Sequence, residues 1–153
     1  VWRQSLVRFK YYGCREYGDF YAKAMSVFGK KYLERWKPDL IVPVPLHPRK
    51  KRMRGFNQAA YLAERLSDLT GIPWNEHLVK KIRSTRSQKK LNAIQRRQNL
   101  KNAYRVTEKI TGFSVLVVDD VYTTGSTADA MAMCLLEAGA EKVYFLTICA
   151  GRA

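Results

Sequence analysis

Asp119 and Asp120 stand side by side, and Thr123, Thr124, Gly125, Ser126 and Thr127 follow them closely. Carboxylates accept hydrogen bonds, so this pair suits sugar hydroxyls or a Mg²⁺ ion, held directly or through water. A turn carrying several hydroxyl donors and a glycine lets the backbone approach a ligand and suits a phosphate. Room for a diol beside room for a phosphate reads as a site for a phosphorylated ribose. The ATP-binding pattern G-x-x-x-x-G-K-S/T is absent, no lysine lies in the turn, and the dinucleotide pattern G-x-G-x-x-G is absent too.

The flanking residues say what positions this chemistry. Val115 to Val118 is a short, continuous apolar run, the mark of a strand buried on both faces of a parallel sheet. The strand is expected to end at the acidic pair. Beyond the turn, Ala130, Met133, Cys134 and Glu137 recur at helical spacing, and Gly139 stops the pattern. A strand-to-helix turn aims backbone N–H groups and the positive end of a helix dipole at one point.

The segment Val117-Val118-Asp119-Asp120-Val121-Tyr122-Thr123-Thr124-Gly125 resembles the phosphoribosyl-pyrophosphate (PRPP) motif of type I phosphoribosyltransferases. Val42-Pro43-Val44-Pro45-Leu46, followed by Arg54-Gly55-Phe56-Asn57-Gln58, is similar to the signature of the ComF family, a branch of that fold linked to DNA uptake in competence. Phe9-Lys10-Tyr11-Tyr12-Gly13 and the pattern of Gln88, Leu91, Arg97 and Asn99 carry the same resemblance, which spans nearly the whole chain. Family members often begin with a four-cysteine zinc module; residues 1–153 hold none, so these residues give a zinc-dependent role no support, and whether such a module precedes Val1 is not legible.

The resemblance implies PRPP or another phosphoribosyl ligand, Mg²⁺ as cofactor, and phosphoribosyl transfer to an unidentified nitrogen acceptor. Val121, Tyr122, Thr123, Thr124, Gly125, Ser126 and Thr127 would hold the 5′-phosphate. Asp119 and Asp120 would be catalytic, holding the ribose hydroxyls directly or through Mg²⁺. Pro45, Arg52, Arg54 and Gly55 would hold the pyrophosphate. Lys89, Arg96 and Arg97 belong to a basic flap, expected over residues 80–105, that closes on the anion.

In chain order, Trp2, Leu6 and Phe9 predict an N-terminal helix broken by Gly13, with Arg3, Arg8 and Lys10 on its outer side. A second helix is expected over residues 16–35, turning Phe20, Ala24, Val27, Phe28 and Trp36 to a core. Aromatic residues so spaced are core rather than a stacking platform, and this reading extends to Tyr11, Tyr12, Tyr17 and Tyr21. Leu40 to Val44 reads as the first strand, ending or lying at an edge because of Pro43. A basic loop from Pro45 to Gln58 leads to a helix over 56–69. Leu78 to Arg83 predicts a second strand, residues 90–100 a helix carrying Leu91, Ile94 and Leu100, and Lys142 to Cys149 a last strand. Strands alternating with helices predict an α/β fold with a mainly parallel central sheet, flanked by helices, of the type I phosphoribosyltransferase kind. Its ligand should sit beyond the carboxyl ends of the strands.

The 153 residues are expected to form one domain, with a helical part over 1–36, and 46% hydrophobic residues exclude a disordered chain. No apolar run is long enough for a membrane span, and no signal peptide is visible. Cys14, Cys134 and Cys149 form no paired motif and read as reduced, mostly buried thiols in a cytoplasmic protein. His47 and His77 have no partner spacing for a metal or a triad. The first residue is valine rather than methionine, as in a piece of a longer protein. Net charge is +15, from 28 basic and 13 acidic residues, and calls for an anionic partner. The charge does not choose between a polyphosphate and a nucleic acid; a surface for single-stranded DNA over residues 80–105, with the PRPP site regulatory or vestigial, is the alternative to the enzyme, and the two can coexist. Oligomeric state is not legible.

Overall fold

The computed structural model describes residues 2–83, 92, 94, 95, 98 and 102–151, with the side chain of Trp2 excluded. Lys89, Arg96 and Arg97, and with them Leu91 and Leu100, lie outside the described residues. The elements are α1 (Trp2–Tyr11), α2 (Arg15–Phe28), α3 (Lys30–Trp36), β1 (Leu40–Pro43), α4 (Pro48–Arg54), α5 (Gln58–Thr70), β2 (Val79–Lys81), β3 (Tyr104–Val106), β4 (Ser114–Tyr122), α6 (Ser126–Glu137) and β5 (Lys142–Ala150). Residues 94, 95 and 98 are also helical.

The strand order β1-β4-β5 is parallel throughout, with β4 in the middle. Val115 to Val118 are fully buried because both faces of β4 are covered. Alternation splits them between two cores. Val115 and Val117 pack with Val42 and Val44 against Ala130, Met131 and Leu135 of α6, and against Leu78, Val79, Ala103 and Tyr104. Leu116 and Val118 pack with Ile41 against Phe9, Tyr21, Ala22, Met25, Leu62, Ala63 and Leu66 of the N-terminal helices and α5. The mainly parallel α/β fold read from the sequence is therefore the one observed. Pro43 ends β1, which is also an edge among the named strands and meets only an isolated bridge from Trp74 to Ile41 on its other side. No helix of the described residues is long and apolar enough to cross a membrane.

Several local expectations are corrected. The helix over 16–35 is two helices, because the chain breaks at Gly29, whose N–H caps α2 through the Met25 carbonyl. Its buried face carries Gly18, Tyr21, Ala22 and Met25, while Phe20, Val27 and Phe28 are exposed. A Cβ on Gly18 would stand 2.6 Å from the Tyr61 ring and 2.7 Å from that of Phe9. Close approach of α5, not side-chain bulk, thus selects the face. Tyr11 and Tyr12 are exposed rather than core. Pro48–Arg54 is a helix and not a loop: Pro48 starts it, and the His47 imidazole accepts the Arg49 N–H at its N-cap. The second strand joins no parallel sheet, since β2 pairs antiparallel with β3. Met133 is exposed, with Met131 and Leu135 inward instead. The three cysteines are free and half-buried rather than buried.

Candidate phosphoribosyl site

Strand β4 does not stop at the acidic pair. It runs on to Tyr122, with Val121 opposite Cys149 and Tyr122 opposite Ala150 of β5. Val121 and Tyr122 are therefore strand residues, and the turn proper is Thr123 to Gly125. Gly125 takes φ 81° as the N-cap of α6. A Cβ there would sit 2.5 Å from the hydroxyl oxygen of the exposed Tyr122, which could swing aside, so it is the backbone conformation that favours glycine. As N-cap, Gly125 offers α6 no side-chain acceptor. Thr124 and Ser126 instead share a 2.9 Å hydroxyl contact, and the Thr124 hydroxyl accepts the Ser126 N–H at 3.4 Å. First-turn N–H groups that lack intrahelical partners face outward there, the arrangement that attracts anions. A small recess beside them is lined by Asp119, Val121, Tyr122, Thr123, Gly125, Thr127, Ala128 and Phe145.

The two carboxylates differ in surroundings. Asp119 Oδ1 accepts the Asp120 N–H at 2.9 Å, and Asp120 Oδ1 accepts the Val121 N–H at 2.7 Å. Lys10 of α1 reaches Asp120 Oδ2 at 2.9 Å. Burial, reinforced by the neighbouring Asp120 charge, pushes the Asp119 carboxyl up to about 7. Burial and then the Asp119 charge push the Tyr104 phenol up to about 12, against a hydrogen bond with Thr127 that acts the other way. Lys81 is lowered, first by burial and then by Lys50, while Asp119 opposes the shift. Its ammonium lies 5.7 Å from the centre of the Tyr104 ring. Lys10 thus meets the acidic pair directly, while Lys81 and Tyr104, both within the 80–105 segment read as a flap, are near enough to feel the Asp119 charge. Lys10, on the outer side of the N-terminal helix by its spacing, meets Asp120 instead of solvent alone.

The segment Arg54 to Gln58 is a joint. Gly55 takes φ 82° and returns its N–H to the Lys51 carbonyl, so its amide serves the end of α4. Arg54 Nη1 donates to Gln58 Oε1 at 3.2 Å, with its guanidinium over the Tyr11 ring. Phe56 packs edge-on to Phe9 and Tyr61. Buried Asn57 accepts the Ala59 N–H as N-cap of α5 and donates to the Val44 carbonyl at 3.1 Å, tying α5 to the end of β1. Buried Gln58 donates to the Lys10 carbonyl at 3.0 Å. Of the expected pyrophosphate residues, Arg52 is exposed on α4, Arg54 and Pro45 are half-buried, and Gly55 is exposed.

No group of three or more His, Cys, Asp or Glu side chains able to cage a metal occurs among the described residues. Mg²⁺ needs no such cage, since it keeps several waters and takes one or two carboxylates plus substrate oxygens. Asp119, half-buried at the end of the β4 core, with Asp120 beside it, fits that demand.

The acidic pair thus lies near the carboxyl end of the central parallel strand, followed by a left-handed glycine that opens a helix. The chain belongs to the phosphoribosyl transferase domain family, whose model matches residues 15–153. Within that family its relatives are of the ComF kind. The DNA utilization protein YhgH of Escherichia coli is 42% identical over 112 residues, covering 73% of this chain and 49% of that protein. Competence protein ComFC of Bacillus subtilis is 33% identical over 138 residues, covering 90% of this chain and 54% of that protein. The chain spans about half the length of the curated relatives it matches. Among solved structures, the purine phosphoribosyltransferase of Pyrococcus horikoshii superposes with a TM-score of 0.51 at 20% identity, over 82% of this chain and 71% of that one. That likeness shows the fold.

Proposed function

We propose that this site binds PRPP with Mg²⁺ and transfers its phosphoribosyl group to a nitrogen nucleophile. The observation that carries this reading is the half-buried acidic pair standing just ahead of the left-handed Gly125 turn that opens α6. The 5′-phosphate would sit against the Thr123–Thr127 backbone and hydroxyls, and the ribose hydroxyls against Asp119 and Asp120. As the C1–O bond breaks, its electron pair leaves with pyrophosphate; a C1–N bond forms, and the nucleophile gives up a proton. Negative charge gathers on the leaving group, so preorganised cations lower the barrier. Arg52 and Arg54 of α4 are the proposed donors, with residues of an 80–105 flap closing over them. Mg²⁺, when bound, would add further neutralisation of the pyrophosphate oxygens. The names of the YhgH and ComFC relatives support a place in DNA uptake, and three free cysteines suit a reducing cytoplasm.

A second reading is a surface for single-stranded DNA. Lys80 and Arg105 are exposed and lie directly opposite each other in the β2–β3 ribbon. Like charges so placed repel, and a polyanion would relieve them. One experiment separates the two readings: calorimetric titration of PRPP with and without Mg²⁺, at two salt concentrations, into the wild type and the Asp119→Asn/Asp120→Asn variant. Saturable, Mg²⁺-dependent binding lost in a folded double variant supports the enzyme. Equal binding by the double variant overturns it, and weak binding that collapses with salt for any anion leaves the DNA surface as the account.

A further inference from the structure

A turn built for an anion carries two carboxylates at its entrance, and their charges oppose a phosphorylated ligand. One lysine answers that conflict. Lys10 Nζ lies 2.9 Å from Asp120 Oδ2, with 24% of the lysine and 13% of the aspartate side chain exposed. This is not a loose surface pair, because the end of α1 is held on three sides. The neighbouring Phe9 is fully buried, with its ring 5.9 Å from that of Phe56 and 6.2 Å from that of Tyr61. The Lys10 carbonyl accepts from Gln58, which is 2% exposed and is itself held by Arg54. The Arg54–Gln58 joint therefore sets where the ammonium stands.

We propose that Lys10 is a specificity-determining residue, an internal counter-cation that sets the charge of the acidic pair. With Asp120 neutralised, the pair offers acceptors to a ribose diol while attracting a bare divalent cation only weakly. A metal then enters with the anionic ligand rather than ahead of it. A compact ammonium suits this role, since it is a point charge with three donors that can shift between carboxylate oxygens and incoming hydroxyls. The inference rests on the acidic pair being a ligand site, but its test needs no phosphoribosyl compound.

The test is titration of Mn²⁺ alone into the purified chain, following the loss of the free-ion EPR signal, for the wild type, Lys10→Met and Lys10→Arg. Removing an opposite charge at this distance should tighten Mn²⁺ binding by about tenfold or more in Lys10→Met. Lys10→Arg should stay near the wild type, and adding Asp120→Asn to Lys10→Met should erase the gain. A purely structural lysine would not raise metal affinity when removed. If Lys10→Met does not fold, Lys10→Gln keeps a polar side chain and carries the same comparison. Unchanged Mn²⁺ affinity in the folded variant, or a gain that persists without Asp120, overturns the proposal. Because Mn²⁺ reads Lys10 and calorimetry reads the binding of PRPP, either can fail without the other.

Discussion

Asp119→Asn should stabilise this protein at neutral and alkaline pH while leaving it unchanged in acid. The Asp119 carboxyl is pushed from an ordinary 3.8 to about 7, mainly by burial and then by Asp120. Between those values the folded chain holds a proton that the unfolded chain has released, so stability falls as pH rises from about 4 to about 7 and is level above. At ~1.4 kcal/mol per pKa unit, the full displacement corresponds to roughly 4 kcal/mol, an upper bound because Asp120 and Lys10 readjust when Asp119 ionises. The amide keeps an oxygen for the Asp120 N–H and cannot ionise, so it escapes this cost. The expected gain is about 2–4 kcal/mol at pH 8, or roughly 5–12 °C in melting temperature for a chain of this size, and none near pH 3.5. Urea unfolding of the wild type and variant at pH 3.5, 6 and 8 measures it. A variant less stable at pH 8, or a difference independent of pH, would refute the account of Asp119 as a carboxylate kept under electrostatic strain.

The turn and the joint make two further predictions. Gly125→Ala places a methyl group 2.5 Å from the Tyr122 hydroxyl oxygen at φ 81°, and should cost about 1–3 kcal/mol in thermal unfolding and abolish PRPP binding. Unaltered stability would mean that the turn is not bound by this conformation. Asn57→Ala removes the N-cap of α5 and leaves the buried Val44 carbonyl without its side-chain donor. A loss of about 1–3 kcal/mol is expected by denaturant unfolding, and a neutral effect would exclude the joint as a structural tie.

The buried strand, the acidic pair and the glycine turn were legible because each is local. Four consecutive apolar residues can be buried on both sides only in the middle of a covered sheet, and a left-handed turn is written in one glycine. Gly29 was passed over for the opposite reason. A single glycine in a long helical pattern reads as tolerated, and only the packing of α2 and α3 shows it as a break.

Residue types and short spacings alone determined the fold class, the middle strand and the existence of the β4–α6 turn, since strand burial, capping and turn geometry act over a few residues. Which face α2 buries was a tertiary matter: Gly18 admits the Tyr61 ring, and that close approach outweighs the bulk of Phe20, Val27 and Phe28. Tertiary structure likewise decided that Lys10 meets Asp120 and that Tyr104 and Lys81 feel the charge of Asp119. Those contacts join segments far apart in the chain, and a charge senses its neighbours through space, with no regard for the sequence between them.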